Sequence, residues 1–155
     1  HAAQSGLGGL SFLAKAAATC HQDVMLNAQT FTALLWVGAG GALGSCARYL
    51  SFVVLGQMVG TAFPWGTLFV NIVGSFVMGV LAELGALVWQ PSQDVKLLLM
   101  TGVLGGFTTF STFSLDVALL VERHDWTIAG LYVAASVLLS VGALFAAMAL
   151  VRNLV

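Results

Sequence analysis

The sequence predicts an all-α membrane protein with four transmembrane helices per subunit. Composition is the first ground: 59% of the 155 residues are hydrophobic and only 7% are charged, where a soluble domain carries about a quarter. Five basic and six acidic residues cannot clothe a water-facing surface, and the mean hydropathy is +1.00. The second ground is spacing. Four stretches free of charge run over residues 24–47, 49–82, 97–115 and 126–151, and a spanning helix needs about 20 apolar residues. The third is the set of Trp36, Trp65, Trp89 and Trp126, which fall mostly near the ends of these stretches, where an indole buries its ring and keeps its N–H wet.

Helices are expected near 31–55, 64–88, 94–120 and 127–152. Gly56, Gly60 and Pro64 divide the longest interval, with Pro64 opening the second helix. The connections are too short for a soluble domain, so function must lie in the bundle. Residues 1–30 form a separate leader of Ala, Gly and Gln, whose apolar piece from Leu7 to Ala18 is too short to span and is interrupted by Lys15. It reads as upstream sequence or an interfacial helix rather than a signal peptide, because its charge follows the apolar residues. The four-helix transmembrane domain is 31–155.

Lys and Arg in short loops set orientation, and their tally is nearly even. Lys96 and Arg152, joined by Lys15 if the leader lies there, fall on one side, Arg48 and Arg123 on the other. That balance predicts insertion both ways, and hence an antiparallel assembly of oppositely inserted copies. Glycines at 38, 40, 41 and 44 and at 102, 105 and 106 permit close helix contact. Thr67, Asn71 and Ser75 stack along one face of helix 2, and Tyr132, Ser136 and Ser140 do so on helix 4. Asn71 is the sharpest of these, since an amide at mid-depth needs partners.

The most unusual segment is Gly105-Gly106-Phe107-Thr108-Thr109-Phe110-Ser111-Thr112-Phe113-Ser114. Two glycines and five hydroxyl residues weaken the third helix, which is expected to break here. Non-helical backbone at membrane depth survives only where protein or a wet cavity covers it, and its freed carbonyls suit a dehydrated cation. Phe110 and Phe113 share a face. The positive edge of a phenyl ring can line an anion path, although aromatic spacing of this kind is more often core packing.

Other chemistry is missing. No concentrated basic face exists for nucleic acid, and Cys20 and Cys46 are too few for a disulfide scaffold. The histidines have no ligand spacing. Glu83 and Asp116 fall toward helix ends, which disfavours a proton relay. Arg48 is the lone cation within a span, serving either an anion vestibule or snorkelling to pair with a carboxylate. No catalytic constellation appears, so no enzyme is expected.

Three motifs carry a resemblance: Gly40-Gly41-Ala42-Leu43-Gly44 leading to Arg48-Tyr49, Gly66-Thr67-Leu68-Phe69-Val70-Asn71 with Gly74-Ser75-Phe76, and the Gly105–Phe113 segment. Over about 31–152 the chain resembles the Fluc (CrcB) fluoride channels. The resemblance implies a dual-topology homodimer whose broken third helices cross at the centre. It also implies a structural Na⁺ held by backbone carbonyls at Gly105 and Thr108. Two pores would run along the dimer interface, lined by Asn71, Phe110 and Phe113, with Ser111 and Thr112 beside them and Tyr132, Ser136 and Ser140 as a polar track. Arg48 would serve a vestibule. The implied role is passive export of fluoride across the cell inner membrane to reduce its toxicity. A small dual-topology multidrug transporter is the rival reading, but it wants a mid-membrane glutamate that the first helix lacks.

Overall fold

The computed structural model describes the backbone of residues 2–155 and the side chains from Asn27 onward. Most of the expected leader, residues 1–26, therefore lies outside the described side chains. The described residues are helical and contain no strand. Helix α1 is Ala2–Val59, α2 is Trp65–Leu87 and α5 is Trp126–Leu154. Between α2 and α5 stand α3, residues 93–107, and α4, Phe110–Glu122. Four helical stretches are long and apolar enough to cross a membrane: Asn27–Val59, Trp65–Leu87, Gln93–Glu122 and Trp126–Leu154.

The chain divides into two units, one ending at Leu35 and one running from Trp36 to Val155. In the first, Phe31 and Leu34 are exposed and Thr32 Oγ1 donates back to the Ala28 carbonyl. The second holds the bundle. Here α1 runs about a turn past its expected end, because Gly56 continues the helix and Gly60 stops it. Gly60 has φ +80°, a left-handed conformation that glycine adopts without a Cβ penalty.

Packing in the bundle is of two kinds. Helices α2 and α5 lie against each other along much of their length, with Val70, Tyr132 and Ala147 fully buried. A Cβ at Gly79 would overlap the Leu144 carbonyl oxygen. Helix α3 instead approaches the glycine face of α1. Its Leu97–Leu104 stretch is π-helical, and Cβ atoms at Gly40 and Gly44 would collide with the carbonyl oxygens of Leu98 and Val103. Large apolar side chains are exposed along the bundle, Leu131, Leu138 and Phe145 among them.

Glu83 is 4% exposed near the end of α2 and is held by Arg152, whose Nε donates to Oε1 at 2.5 Å and Nη2 to Oε2 at 3.2 Å. A carboxylate this buried needs such a partner. Two titratable side chains at helix ends are thereby used in fastening α2 to α5.

Candidate functional site: an interrupted helix beside a hydroxyl-lined cavity

The site grows from a two-residue interruption. Helix α3 ends at Phe107. Thr108 (φ −81°, ψ 159°) and Thr109 (φ −153°, ψ 122°) are extended, and α4 starts at Phe110. Threonine suits both duties here, being content in extended backbone and carrying a hydroxyl for local bonding. Thr108 sends its N–H and its Oγ1 back to the Leu104 carbonyl, at 3.0 and 2.9 Å. Thr109 caps α4 by accepting the Thr112 N–H on Oγ1 at 3.2 Å, a regular N-cap bond. Its hydroxyl also lies 3.2 Å from Ser111 Oγ and donates to Thr112 Oγ1 at 3.1 Å.

Two side chains from neighbouring helices bond the exposed peptide groups. Asn71 on α2 faces Thr109 in a two-point pairing: the Thr109 N–H donates to Oδ1 at 2.9 Å, and Nδ2 donates to the Thr109 carbonyl at 3.1 Å. Only one placement of the amide satisfies both groups, since a backbone N–H needs an acceptor and a carbonyl a donor. Arg48 on α1 donates from Nη1 to the Thr108 carbonyl at 3.2 Å. Of the two expectations for Arg48, pairing with a carboxylate is not what occurs; its partner is main chain.

Beside the interruption lies a cavity of about 350 Å³, lined by Asn71, Ser75, Phe110, Phe113, Ser136 and Ser140 among others. The Ser136 and Ser140 hydroxyls are buried and have no hydrogen-bond partner. Phe110 and Phe113 have ring centroids 5.5 Å apart with planes tilted by 40°. Phe113 is half-buried, whereas Phe110 is 78% exposed. No Lys, Arg, Asp or Glu lines this cavity.

Tyr132 stands elsewhere than its serine companions. It is fully buried, with its ring 5.4 Å from that of Phe113 and edge-on to Phe63 at 5.5 Å. Its hydroxyl donates to Asp116 Oδ2 at 3.1 Å. Asp116 lines a second cavity of about 280 Å³, together with Thr67, Thr112, Phe63 and Arg123. Tyr132 thus touches a wall residue of each cavity, by its ring on one side and its hydroxyl on the other. Thr112 opens on the second cavity rather than the first. Ser111 is exposed and bonded to Thr109, and Gly105 is also exposed.

Sequence reasoning missed Asp116 and left Thr67 as one member of a stripe. The signal for Asp116 was its position three residues past Phe113, on the same face of α4.

The sequence profile described as "CrcB-like protein, Camphor Resistance (CrcB)" matches residues 35–148. The chain belongs to the CrcB family. It is 64% identical over 122 residues to the fluoride-specific ion channel FluC of Rhodospirillum centenum, covering 79% of this chain and 97% of that one. It is 52% identical over 124 residues to the fluoride-specific ion channel FluC 1 of Nitrobacter hamburgensis, covering 80% and 98% respectively. These relatives are named as channels and not as enzymes. The CrcB match spans Arg48 and every residue that lines the two cavities, from Phe52 to Leu144, and leaves out the chain before residue 35.

Proposed function

We propose that this chain is a fluoride-selective channel subunit, working as an antiparallel homodimer that lets fluoride leave the cytoplasm passively across the inner membrane. The observation that carries the reading is the pair of buried, unpartnered hydroxyls, Ser136 and Ser140, facing the phenyl rings of Phe110 and Phe113. A buried polar group without a partner costs about 1–3 kcal/mol, so these donors favour a small guest that accepts hydrogen bonds. Asn71 adds to them, because its Nδ2 gives one hydrogen to Thr109 and keeps another. The positive edges of the two rings complete a set of weak donors.

Such a set suits fluoride. A small, strongly hydrated anion needs several compact donors in place of its water, while a fixed Lys or Arg at the constriction would hold it too firmly to release. Tyr132, its hydroxyl oriented by Asp116, lies between the serine cavity and the Asp116 cavity and continues the track. Ser111 and Thr112 flank it at the start of α4. Arg48 lends positive charge to the approach.

The second copy is argued from exposure. Phe110, Ser111 and Gly105 are exposed in the isolated chain, yet they sit at the interrupted middle of a span, where polar backbone against lipid is costly. A partner laid across this face would cover them and close the pores. The interruption also frees main-chain oxygens: the Thr109 N–H that a continuous helix would give to Gly105 goes to Asn71. Among the described residues no cluster of His, Cys, Asp and Glu could hold a metal ion, so any bound cation would rest on neutral oxygens. The carbonyls of Gly105 and Thr108 fit Na⁺ in that respect, the Thr108 oxygen using the lone pair that Arg48 leaves it, and the ion would supply a fixed positive charge at the dimer centre. Reconstituted Phe110→Ile and Phe113→Ile variants test the pore: each should lose at least tenfold in fluoride efflux, and wild-type flux in both would overturn the assignment.

A further inference from the structure

Asn71 lines the serine cavity, but its two bonds to Thr109 have a second consequence. In an unbroken helix the N–H of residue 109 belongs to the carbonyl of residue 105. Here that N–H is taken by Asn71 Oδ1 at 2.9 Å, and Asn71 Nδ2 occupies the Thr109 carbonyl at 3.1 Å. The side-chain amide acts as a foreign peptide group, pairing with residue 109 as a neighbouring strand would. Buried backbone groups are nearly always paired, so whatever removes the donor from one acceptor leaves that acceptor for another partner. For Gly105 the displaced donor leaves a main-chain oxygen on an exposed residue in mid-span.

We propose that Asn71 is the positioning residue of the cation cradle. By holding the Thr109 N–H, it withholds that group from Gly105 and reserves the Gly105 carbonyl for a monovalent cation. This rests on the Na⁺ reading given above. Its distinctive content is that one side chain serves both ions, lining the anion cavity with its free N–H and keeping the cation oxygen open with its carbonyl. Withholding the Thr109 N–H requires the acceptor, and the donor adds the second bond. Leucine has the shape of asparagine and neither group, serine is too short to reach, and aspartate keeps the acceptor while setting a second oxygen against the Thr109 carbonyl.

The experiment reads Na⁺ rather than flux. Purified full-length protein in detergent is titrated with NaCl against N-methylglucamine chloride at constant ionic strength, following the thermal midpoint and, by isothermal titration calorimetry, Na⁺ binding itself. Wild type should gain stability with Na⁺ and saturate. Asn71→Leu should need at least tenfold more Na⁺, while Asn71→Asp, which keeps the acceptor, should stay within about threefold of wild type. Ser136→Ala, a change in the same cavity that leaves Thr109 paired, should titrate as wild type does. If Asn71→Leu does not fold, Asn71→Ser takes its place with the same expectation. An unchanged Na⁺ response in the Leu or Ser variant overturns the role of Asn71 and leaves the cradle standing. No Na⁺-specific response in wild type removes the cradle, and the inference with it.

Discussion

The two halves of the third span are held by opposite means. Residues 97–107 are fixed by steric contact: Gly40 and Gly44 of α1 meet the carbonyls of Leu98 and Val103, and a Cβ on Gly106 would come within 2.6 Å of the Gly41 carbonyl oxygen. Nothing larger than hydrogen fits. Beyond the interruption, α4 is placed by hydrogen bonds through Thr109, Asn71 and Tyr132 and by Leu120, Val117 and Val121 packing with Leu68, Ala129 and Tyr132, while its Phe110 ring is left exposed. The first half leaves no room for an added atom at Gly40, Gly44, Gly102 or Gly106, and the second depends on its donors. The tightest main-chain contacts therefore lie before residue 108, and most of the site's hydrogen-bonding side chains on this span lie after it.

That contrast orders the expected effects of substitution. Gly44→Ala places a methyl against main chain that cannot rotate away, a site worse than the overpacked cores that lose about 1–3 kcal/mol. Little folded protein should survive, as seen by size-exclusion chromatography and thermal unfolding. Next comes Ser136→Ala, which removes a cavity hydroxyl without touching a packed backbone. Fluoride efflux should fall about tenfold, on the basis that a lost hydrogen bond of roughly 1.5 kcal/mol costs a factor of about ten, while the thermal midpoint holds or rises, because the hydroxyl removed had no partner. Asp116→Asn should reduce flux less, because an amide oxygen still accepts from Tyr132. Gly85→Ala is the smallest change. No atom lies within 4 Å of its added methyl, so stability should rise by about 0.5 kcal/mol or stay level. A stable Gly44→Ala or an unstable Ser136→Ala would erase the division between the halves.

Much of this architecture could be read in advance because lipid penalises charge so heavily. The gaps between charged residues alone locate four spans, and the end of α1 was misjudged only because Gly56 and Gly60 look alike until one of them adopts positive φ. The Gly105–Ser114 composition points at the place where residues 108 and 109 are extended, and the hydroxyl stripe of α5 points at the cavity. What stayed hidden were partners distant in the chain. Arg48 and Thr108 are 60 residues apart, and the acceptor is a carbonyl, which no residue letter reveals. Asp116 and Tyr132 belong to different helices, and Glu83 finds Arg152 across 69 residues. The π-helical winding of Leu97–Leu104 likewise leaves no mark in an apolar run.

Flux through reconstituted protein is the direct trial of the whole scheme. Liposomes loaded with potassium fluoride and held without a proton gradient should empty rapidly into a fluoride electrode once valinomycin clamps the potential. Matched potassium chloride liposomes should retain their anion. Fluoride release no faster than from protein-free vesicles, or chloride release at an equal rate, would contradict a pathway built from hydroxyls, ring edges and one amide.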